Sequence, residues 1–443
     1  MAMDSRHREI LASRRIDHVV VLGANGAMGY GSGALFTRVV PKVTFLARSR
    51  EKAAEGLRNA VQAVRSPTVA NRVETGSYEA DFDRAVAGAD LIFEALAEDF
   101  GVKQQIFERV DKLRRDDSIV ATVTSGLSIN KLGEGRSPSF RKNFLGLHFF
   151  NPPNVIVGTE LIAGKETDPQ LVDFLDVYAT KKLGRMITRT ADTPGFAGNR
   201  VGFKVLNEVA QLAEEFGPLL ADRIVGPYTG RALPPLATID LVGWDVHRAI
   251  VDNIHENAPD EVAPTLKLPE YMRRLIEQGT LGAKSGGGFF RTENNANFVL
   301  EPRSGKYVPV SSVKLPKLDF IREIAGLHRL GLYQQAMKAF VAAPGREAEL
   351  SRKVVAGYVS YAFHRVGEVT DSIDGIDSIM GSGFNWAPPS VLVDTIGLRP
   401  MITMMEKAKL PVPRILSDAL ASGKPQRFFG NRSVNVGRFF VAA

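Results

Sequence analysis

Residues 17 to 47 constrain the fold more tightly than any other stretch. Asp17-His18-Val19-Val20-Val21-Leu22 is a short β-branched run of the kind that forms a strand buried on both faces of a parallel sheet. It ends in Gly23-Ala24-Asn25-Gly26-Ala27-Met28-Gly29, and small residues continue through Gly31, Ser32, Gly33 and Ala34. Lys42-Val43-Thr44-Phe45-Leu46-Ala47 then reads as a second strand. Strand, glycine turn, helix and strand in that order make a dinucleotide-binding unit: bare backbone can approach a pyrophosphate, and the first helical turn offers unpaired N–H groups and a favourable dipole. Gly23, Gly26, Met28 and Gly29 are the candidate contacts, with an ordinary tight turn as the alternative. The spacing is G-x-x-G-x-x-G, one residue longer than the usual G-x-G-x-x-G.

The end of the second strand bears on the cofactor. NAD enzymes generally carry an acidic residue there for the ribose 2′-hydroxyl, whereas this chain has Ala47 followed by Arg48-Ser49-Arg50. Losing the carboxylate removes repulsion of a 2′-phosphate, and Arg48 or Arg50 could clamp that phosphate with paired donors, with Ser49 beside them. NADP is therefore slightly favoured over NAD. The competing reading is that these residues only start a solvated helix at Glu51-Lys52-Ala53-Ala54-Glu55.

Composition narrows the class. A chain of 443 residues, 44% apolar and 24% charged, can hold two or three full-sized domains. No apolar run approaches the roughly 20 residues that cross a bilayer, and the first residues lack the apolar core of a secretory signal, so a soluble, cytoplasmic protein is expected. The absence of cysteine excludes disulfides, thiol nucleophiles and Cys-ligated zinc, and no metal site is expected. The net charge of +7 comes from basic residues that read as scattered, without an aromatic-interleaved patch. Nucleic acid is not expected as a partner, while a polyanionic small molecule suits the charge.

Further strands are read at Ala89 to Ala95, Ser118 to Thr122 and Phe144 to Leu147. Ligands bind at the carboxyl edge of such sheets, so Glu98, Ser125 and His148 are expected to converge on one crevice. His148 sits in Gly146-Leu147-His148-Phe149-Phe150-Asn151-Pro152-Pro153, with Glu160 twelve positions beyond it. An imidazole among aromatic neighbours with a carboxylate near by can form a base and its orienter. A satisfied core histidine with an unrelated surface glutamate is the plainer alternative.

Together with Asp192-Thr193-Pro194-Gly195-Phe196-Ala197-Gly198-Asn199-Arg200, these motifs resemble the L-3-hydroxyacyl-CoA dehydrogenase family over about residues 17 to 292. The resemblance implies that His148 is the base and Glu160 its partner, and that Ser125 and Asn199 contact the reacting oxygen. It also implies that Glu98, Lys103, Asn151 and Lys284 contact cofactor or coenzyme A. Thr124 and Ser125 match the family's Thr-Ser pair, but Gly126 replaces its following Ser, and Asp99 replaces its usual Asn. The implied reaction interconverts a 3-hydroxyacyl-CoA and a 3-ketoacyl-CoA. Alternatives are a dehydrogenase of another β-hydroxy acid or of a carrier-bound acyl group, and a non-catalytic nucleotide-binding scaffold.

Beyond Gly195 the pattern turns helical, with Phe203, Leu206, Val209, Ala210 and Ala213 at three- and four-residue steps. Pro234-Pro235, Asp240 and Gly243 recur as Pro388-Pro389, Asp394 and Gly397, each at an offset of 154 (388 − 234, 394 − 240). A duplicated helical domain is the reading, its two leading helices placed at Val201 to Glu215 and Val354 to Glu368. The second copy has Ser351-Arg352 near the place of Asn199-Arg200 and is read as having no active site. Asn297 to Leu300 and Lys306 to Val310 form an expected hairpin in the linker, and Phe428, Phe429, Phe439 and Phe440 are expected to pack on the body. The predicted fold is α/β: a Rossmann-type doubly wound sheet in residues 1–192, then two tandem all-α domains in 193–310 and 311–443, 6-phosphogluconate-dehydrogenase-like by the resemblance. A pseudo-dimeric monomer or weak homodimer is the expected assembly.

Overall fold

The computed structural model describes residues 4–424, 426–429 and 436–440. The chain forms two compact units, Met1–Phe196 and Ala197–Ala443. The first is built on an eight-stranded sheet in the order β3-β2-β1-β4-β5-β6-β7-β8. Its strands are β1 (His18–Leu22), β2 (Lys42–Ala47), β3 (Val73–Ser77), β4 (Leu91–Glu94), β5 (Ile119–Thr122), β6 (Phe144–Phe149), β7 (Gly158–Ala163) and β8 (Met186–Thr190). All neighbours pair in parallel except β6 and β7, which are antiparallel. Strand order reverses between β1 and β4, the place where a crevice opens beyond the strand ends in doubly wound sheets.

Period-two alternation sends successive β1 side chains into two separate cores. Val19 and Val21 join Phe45, Phe93 and Phe149 on one face, while Val20 and Leu22 join Phe82, Ile92 and Phe107 on the other. Both cores are closed to water, which is why the strands read as continuous apolar runs instead of alternating ones. Each fully buried Val, Leu or Phe contributes about 1.5–3 kcal/mol, so β1 alone is a substantial anchor for the turn that follows it.

Two glycines of that turn are required sterically. Gly23 holds φ +78°, and a Cβ there would lie 2.3 Å from the Ala95 carbonyl oxygen. A Cβ on Gly29 would lie 2.2 Å from the Gly23 carbonyl oxygen, so helix Ala27–Phe36 can pack against the turn only if this position has no side chain. Helix Arg50–Val64 is capped by Ser49, whose Oγ accepts from Lys52 N, and ends at Arg65 in the left-handed region. Helix Phe100–Leu113 is capped by Asp99, which accepts from Val102 N at 2.8 Å. The residue that departs from the family pattern thus has a local structural use. Helix Pro169–Lys181 and strands β7 and β8, which the sequence reading did not assign, complete the unit.

The second unit carries the repeat in its backbone as well as its sequence. Helix Pro235–Val242 begins after Pro234 and ends at Gly243 with φ 101°; helix Pro389–Ile396 begins after Pro388 and ends at Gly397 with φ 100°. Asp222 accepts from Leu236 N and Ala237 N at the start of the first of these helices, and Asp377 accepts from Ser390 N at the start of the second. Asp240 accepts from Phe289 N and Phe290 N, and Asp394 accepts from Phe428 N and Phe429 N. The aromatic pair near the carboxyl end is therefore the second copy of Phe289-Phe290. No sequence spacing announces this, because 290 and 429 are not separated by 154.

The two copies meet within the unit. Arg231 and Trp386 pair in an antiparallel bridge, with Ala387 N donating to Gly230 O. Arg200, 1% exposed, donates to Asp260 at 2.9 Å and to Glu368 at 2.9 Å, and Arg365 donates to the same Asp260 at 3.0 Å. Two details differ from expectation. The second leading helix spans Arg346–His364, so it starts earlier than Val354 and stops before Glu368, which is freed to meet Arg200. The unit is also not wholly helical: β9 (Phe290–Glu293), β10 (Ala296–Glu301) and β11 (Lys306–Pro309) form an antiparallel sheet, adding one strand to the expected hairpin. Replacing Asp394 by Ala removes the acceptor for two amides, and amide hydrogen exchange at Phe428 and Phe429 should then accelerate at least tenfold while exchange in β1 stays unchanged.

Candidate active site

Antiparallel pairing of β6 with β7 sets His148 directly opposite Glu160. Nδ1 of His148 lies 2.7 Å from Oε2 of Glu160, with the side chains 5% and 0% exposed. The twelve-residue spacing of the sequence is thus a cross-strand pair: the last two residues of β6, a connection braced on Pro152 and Pro153, and the first three residues of β7. Arg185 donates to the carbonyl oxygens of Pro153 and Ile156, and Pro152 O accepts from Val155 N and Ile156 N, which fixes that connection. With Nδ1 engaged by the carboxylate, Nε2 is the ring's remaining proton site. The imidazole is walled by Phe150 and Phe196, with ring centroids 4.9 and 5.8 Å away. Phe196 is fully buried at φ +51°, a left-handed backbone that costs about 1–3 kcal/mol in a side-chain-bearing residue. The Thr193–Phe196 turn, closed by Phe196 N donating to Thr193 O, holds it there.

A second cluster forms at the ends of β4 and β5. Glu98 accepts from Thr124 Oγ1 at 2.5 Å and from Ser125 N at 2.8 Å, so it orders the loop that carries Ser125. Lys103 lies 2.7 Å from Glu94 and 3.5 Å from Glu98. Glu94 also accepts from Thr122 Oγ1 and from Leu96 N. Lys103 and Glu94 are both 0% exposed, so the ammonium is enclosed between Glu94 and Glu98. Glu94 itself escaped the sequence reading. The available signal was a carboxylate at the end of the apolar run Leu91-Ile92-Phe93, a place where an unpaired charge would be costly.

The nucleotide end of the unit is built from the glycine turn. A Cβ on Gly26 would meet nothing nearer than Gly23 O at 3.5 Å, so the outer side of the turn stays open, while Gly23 and Gly29 are pressed against protein. Helix Ala27–Phe36, with Met28 in its first turn, directs its first amides toward that side. These residues fit a dinucleotide's pyrophosphate. Tyr78, which no motif marked, receives a hydrogen bond from Gly23 N at 2.7 Å, and burial pushes its phenol up to about 12. It stays protonated and fixes the strand end. Of the two candidate 2′-phosphate clamps, Arg50 is occupied: its guanidinium is bidentate on Asp81, at 3.1 and 3.2 Å. Arg48 is exposed just beyond β2, and Ser49 serves as helix cap.

Asn151 is exposed at the turn after β6. Asn199 and Lys284 belong to the second unit. Asn199 is buried in the first turn of helix Gly198–Phe216, and Lys284 pairs with Asp245 at 2.5 Å. Removing the charge of Glu94 leaves a fully enclosed ammonium with only the longer contact to Glu98, at 3.5 Å, for a counter-ion. Glu94→Gln should therefore cost about 3–5 kcal/mol in urea unfolding, and Glu94→Gln/Lys103→Met should recover much of that loss.

Comparison with known proteins matches both halves of this arrangement. Residues 18–193 match the 3-hydroxyacyl-CoA dehydrogenase NAD binding domain, and residues 195–292 match the C-terminal domain of the same family. A protein of Bacillus subtilis named "Probable 3-hydroxyacyl-CoA dehydrogenase" is 30% identical over 79% of this chain and 44% of its own length. The mitochondrial hydroxyacyl-coenzyme A dehydrogenase of Rattus norvegicus is 30% identical over 62% of this chain and 91% of its own. The chain spans about half the length of several curated relatives it matches. The crystal structure of 3-hydroxybutyryl-CoA dehydrogenase from Escherichia coli K12 shares the fold, with TM-score 0.67 over 93% of this chain and 100% of that one at 20% identity. Because a dinucleotide fold and a helical half are matched in the order in which they occur here, the chain belongs to the 3-hydroxyacyl-CoA dehydrogenase family of NAD-binding oxidoreductases.

Proposed function

We propose that the chain interconverts (S)-3-hydroxyacyl-CoA and 3-ketoacyl-CoA, with His148 as general base and Glu160 as the residue that orients it. The buried 2.7 Å contact between them carries this reading. A histidine that only filled the core would not need an enclosed carboxylate on the facing strand, since burying that charge is expensive unless it has work to do on a partner. When bound, the nicotinamide supplies the two-electron chemistry by taking the hydride that leaves C3 of the hydroxyacyl group. His148 takes the hydroxyl proton on Nε2, and Glu160 holds the ring through Nδ1. Ser125 hydrogen-bonds the reacting oxygen and keeps it beside the imidazole, a positioning effect. Glu98 and, behind it, Lys103 keep the Ser125 loop in place.

For the cofactor, Ala47 in place of an acidic residue and the exposed Arg48 that follows it favour NADP over NAD. Arg48 would meet the 2′-phosphate with paired N–H donors. Coenzyme A, and not a free β-hydroxy acid, is the substrate carrier that the family match favours.

Initial rates of acetoacetyl-CoA reduction test the chemistry. His148→Gln should abolish turnover while nucleotide binding persists, and Glu160→Gln should lower kcat by about a hundredfold or more with little change in KM. Loss of nucleotide binding in step with turnover would mean misfolding and leave no support for the base assignment. The same assay with NADPH and NADH side by side tests the cofactor. Arg48→Leu should raise KM for NADPH about tenfold and leave KM for NADH nearly unchanged, the size of one charge-assisted contact; equal effects on both would reject Arg48 as the discriminating residue.

A further inference from the structure

The second helical repeat contains a basic cleft of about 1010 Å3 between helix Arg346–His364, helix Leu398–Lys407 and the end of helix Tyr333–Ala342. Arg346, Arg352, Lys353, Arg399, Lys407 and Lys409 line it, against one carboxylate, Glu349. Arg346 is paired outside the cleft with Glu215 at 2.7 Å. Among the described residues, none of the other five cations forms an ion pair with a carboxylate. Arg352 is anchored through Nη1 on the carbonyl oxygens of Phe340 and Ala343, which immobilises its guanidinium at the cleft wall. Val341, Leu350 and Met404 supply apolar surface between the charges.

The repeat does not carry the charge of Arg399, Lys407 or Lys409 in its first copy. At the offset of 154 that relates the copies, Arg399 stands where the first copy has Asp245 (399 − 245), Lys407 where it has Asn253, and Lys409 where it has His255. In the first copy the position of Arg399 is therefore acidic, and its Asp245 binds Lys284. Like charges on a solvated helix face repel one another, so clustering these cations against the single carboxylate of Glu349 around an apolar-walled cleft lowers stability unless an anion is bound there. The volume is that of a small-molecule site.

We infer that this cleft binds a nucleotide carrying two or more phosphates, its phosphates held by Arg352, Lys353, Arg399 and Lys407 and its base on the apolar wall, at a site separate from the glycine turn. Such a ligand combines clustered negative charge with a flat, weakly polar body, and the cleft offers the complement of each.

The test uses the full chain and ADP bearing a fluorescent methylanthraniloyl group, followed by fluorescence titration. The parent should show two classes of site. Arg399→Glu/Lys407→Glu, both exposed positions, should lose one class, with affinity there at least tenfold weaker, while KM and kcat for acetoacetyl-CoA reduction stay within twofold. The milder Arg399→Gln/Lys407→Gln should weaken the same class and guards against a folding defect, checked by an unchanged melting temperature. Unlabelled ADP should displace the probe from this class, and inorganic pyrophosphate should do so more weakly if the base contributes. Pyrophosphate competing as well as ADP would overturn the nucleotide assignment and leave a free-phosphate site. Identical titrations of parent and double variant would overturn the site itself. A short single-stranded oligonucleotide that binds more tightly than ADP and is lost in the same variant would replace the nucleotide with nucleic acid.

Discussion

An imidazole and a carboxylate facing each other across the single antiparallel ladder of an otherwise parallel sheet is the constraint around which the first unit is arranged. A parallel neighbour would have required a long crossover between the two strands, whereas the antiparallel return needs only the short, proline-braced connection from Phe150 to Val157. The register is then settled by packing. Because side chains alternate, a slip of one residue would turn Glu160 to the other face of β7 and leave His148 without its partner. Leu145, Leu147 and Phe149 on β6 lie in one core and Phe144 in the other, so such a slip would also misplace the apolar residues that hold the strand. Chemistry and core packing thus specify the same alignment.

Enclosed charge recurs one strand pair away. Glu94 at the end of β4 is surrounded by Lys103, Thr122 and Leu96 N, and Lys103 is shared with Glu98. An isolated carboxylate in that position would cost several kcal/mol, but a fully hydrogen-bonded pair does not, and it supplies a rigid support for the loop bearing Ser125. The arrangement explains why a lysine that family resemblance assigns to ligand contact can be wholly buried. Glu98 has one oxygen near the ammonium and the other on Thr124 Oγ1 and Ser125 N.

The helical half shows how duplication can conserve structure while releasing function. Both copies keep the Pro-Pro start, the left-handed-side glycine at the helix end, and an aspartate that receives two consecutive aromatic amides. Burial pushes Asp240 up to about 6 and Asp222 up to about 7, yet each is retained because its backbone donors would otherwise be unsatisfied. What diverges is the outward chemistry: Asn199-Arg200 has no equivalent in the second copy, and an acidic helix start becomes a basic one. The contacts of Arg200 with Glu368 and of Arg365 with Asp260 tie the two copies together.

Much of this was legible in the chain itself. The β-branched runs, the glycine turn, His148 with Glu160 at twelve residues, and the 154-residue repeat are local or periodic signals, and local steric and hydrophobic preferences translate them into strands, turn and helices. Strands β7 and β8 were not assigned, because their residues mix polar and apolar types and take their place only by pairing with β6. Depth and partnership belonged to the tertiary structure. Only the packed fold decided that Lys103 is enclosed, that Arg50 is spent on Asp81, that Tyr78 supports Gly23, and that Phe428-Phe429 repeats Phe289-Phe290. The basic residues that looked scattered along the sequence come from separate helices, and their gathering into one cleft depends on how those helices pack. Linear spacing carries information about neighbours along one element; which distant side chains share a charge or exclude water is set by contacts between elements, and those exist only once the chain has folded.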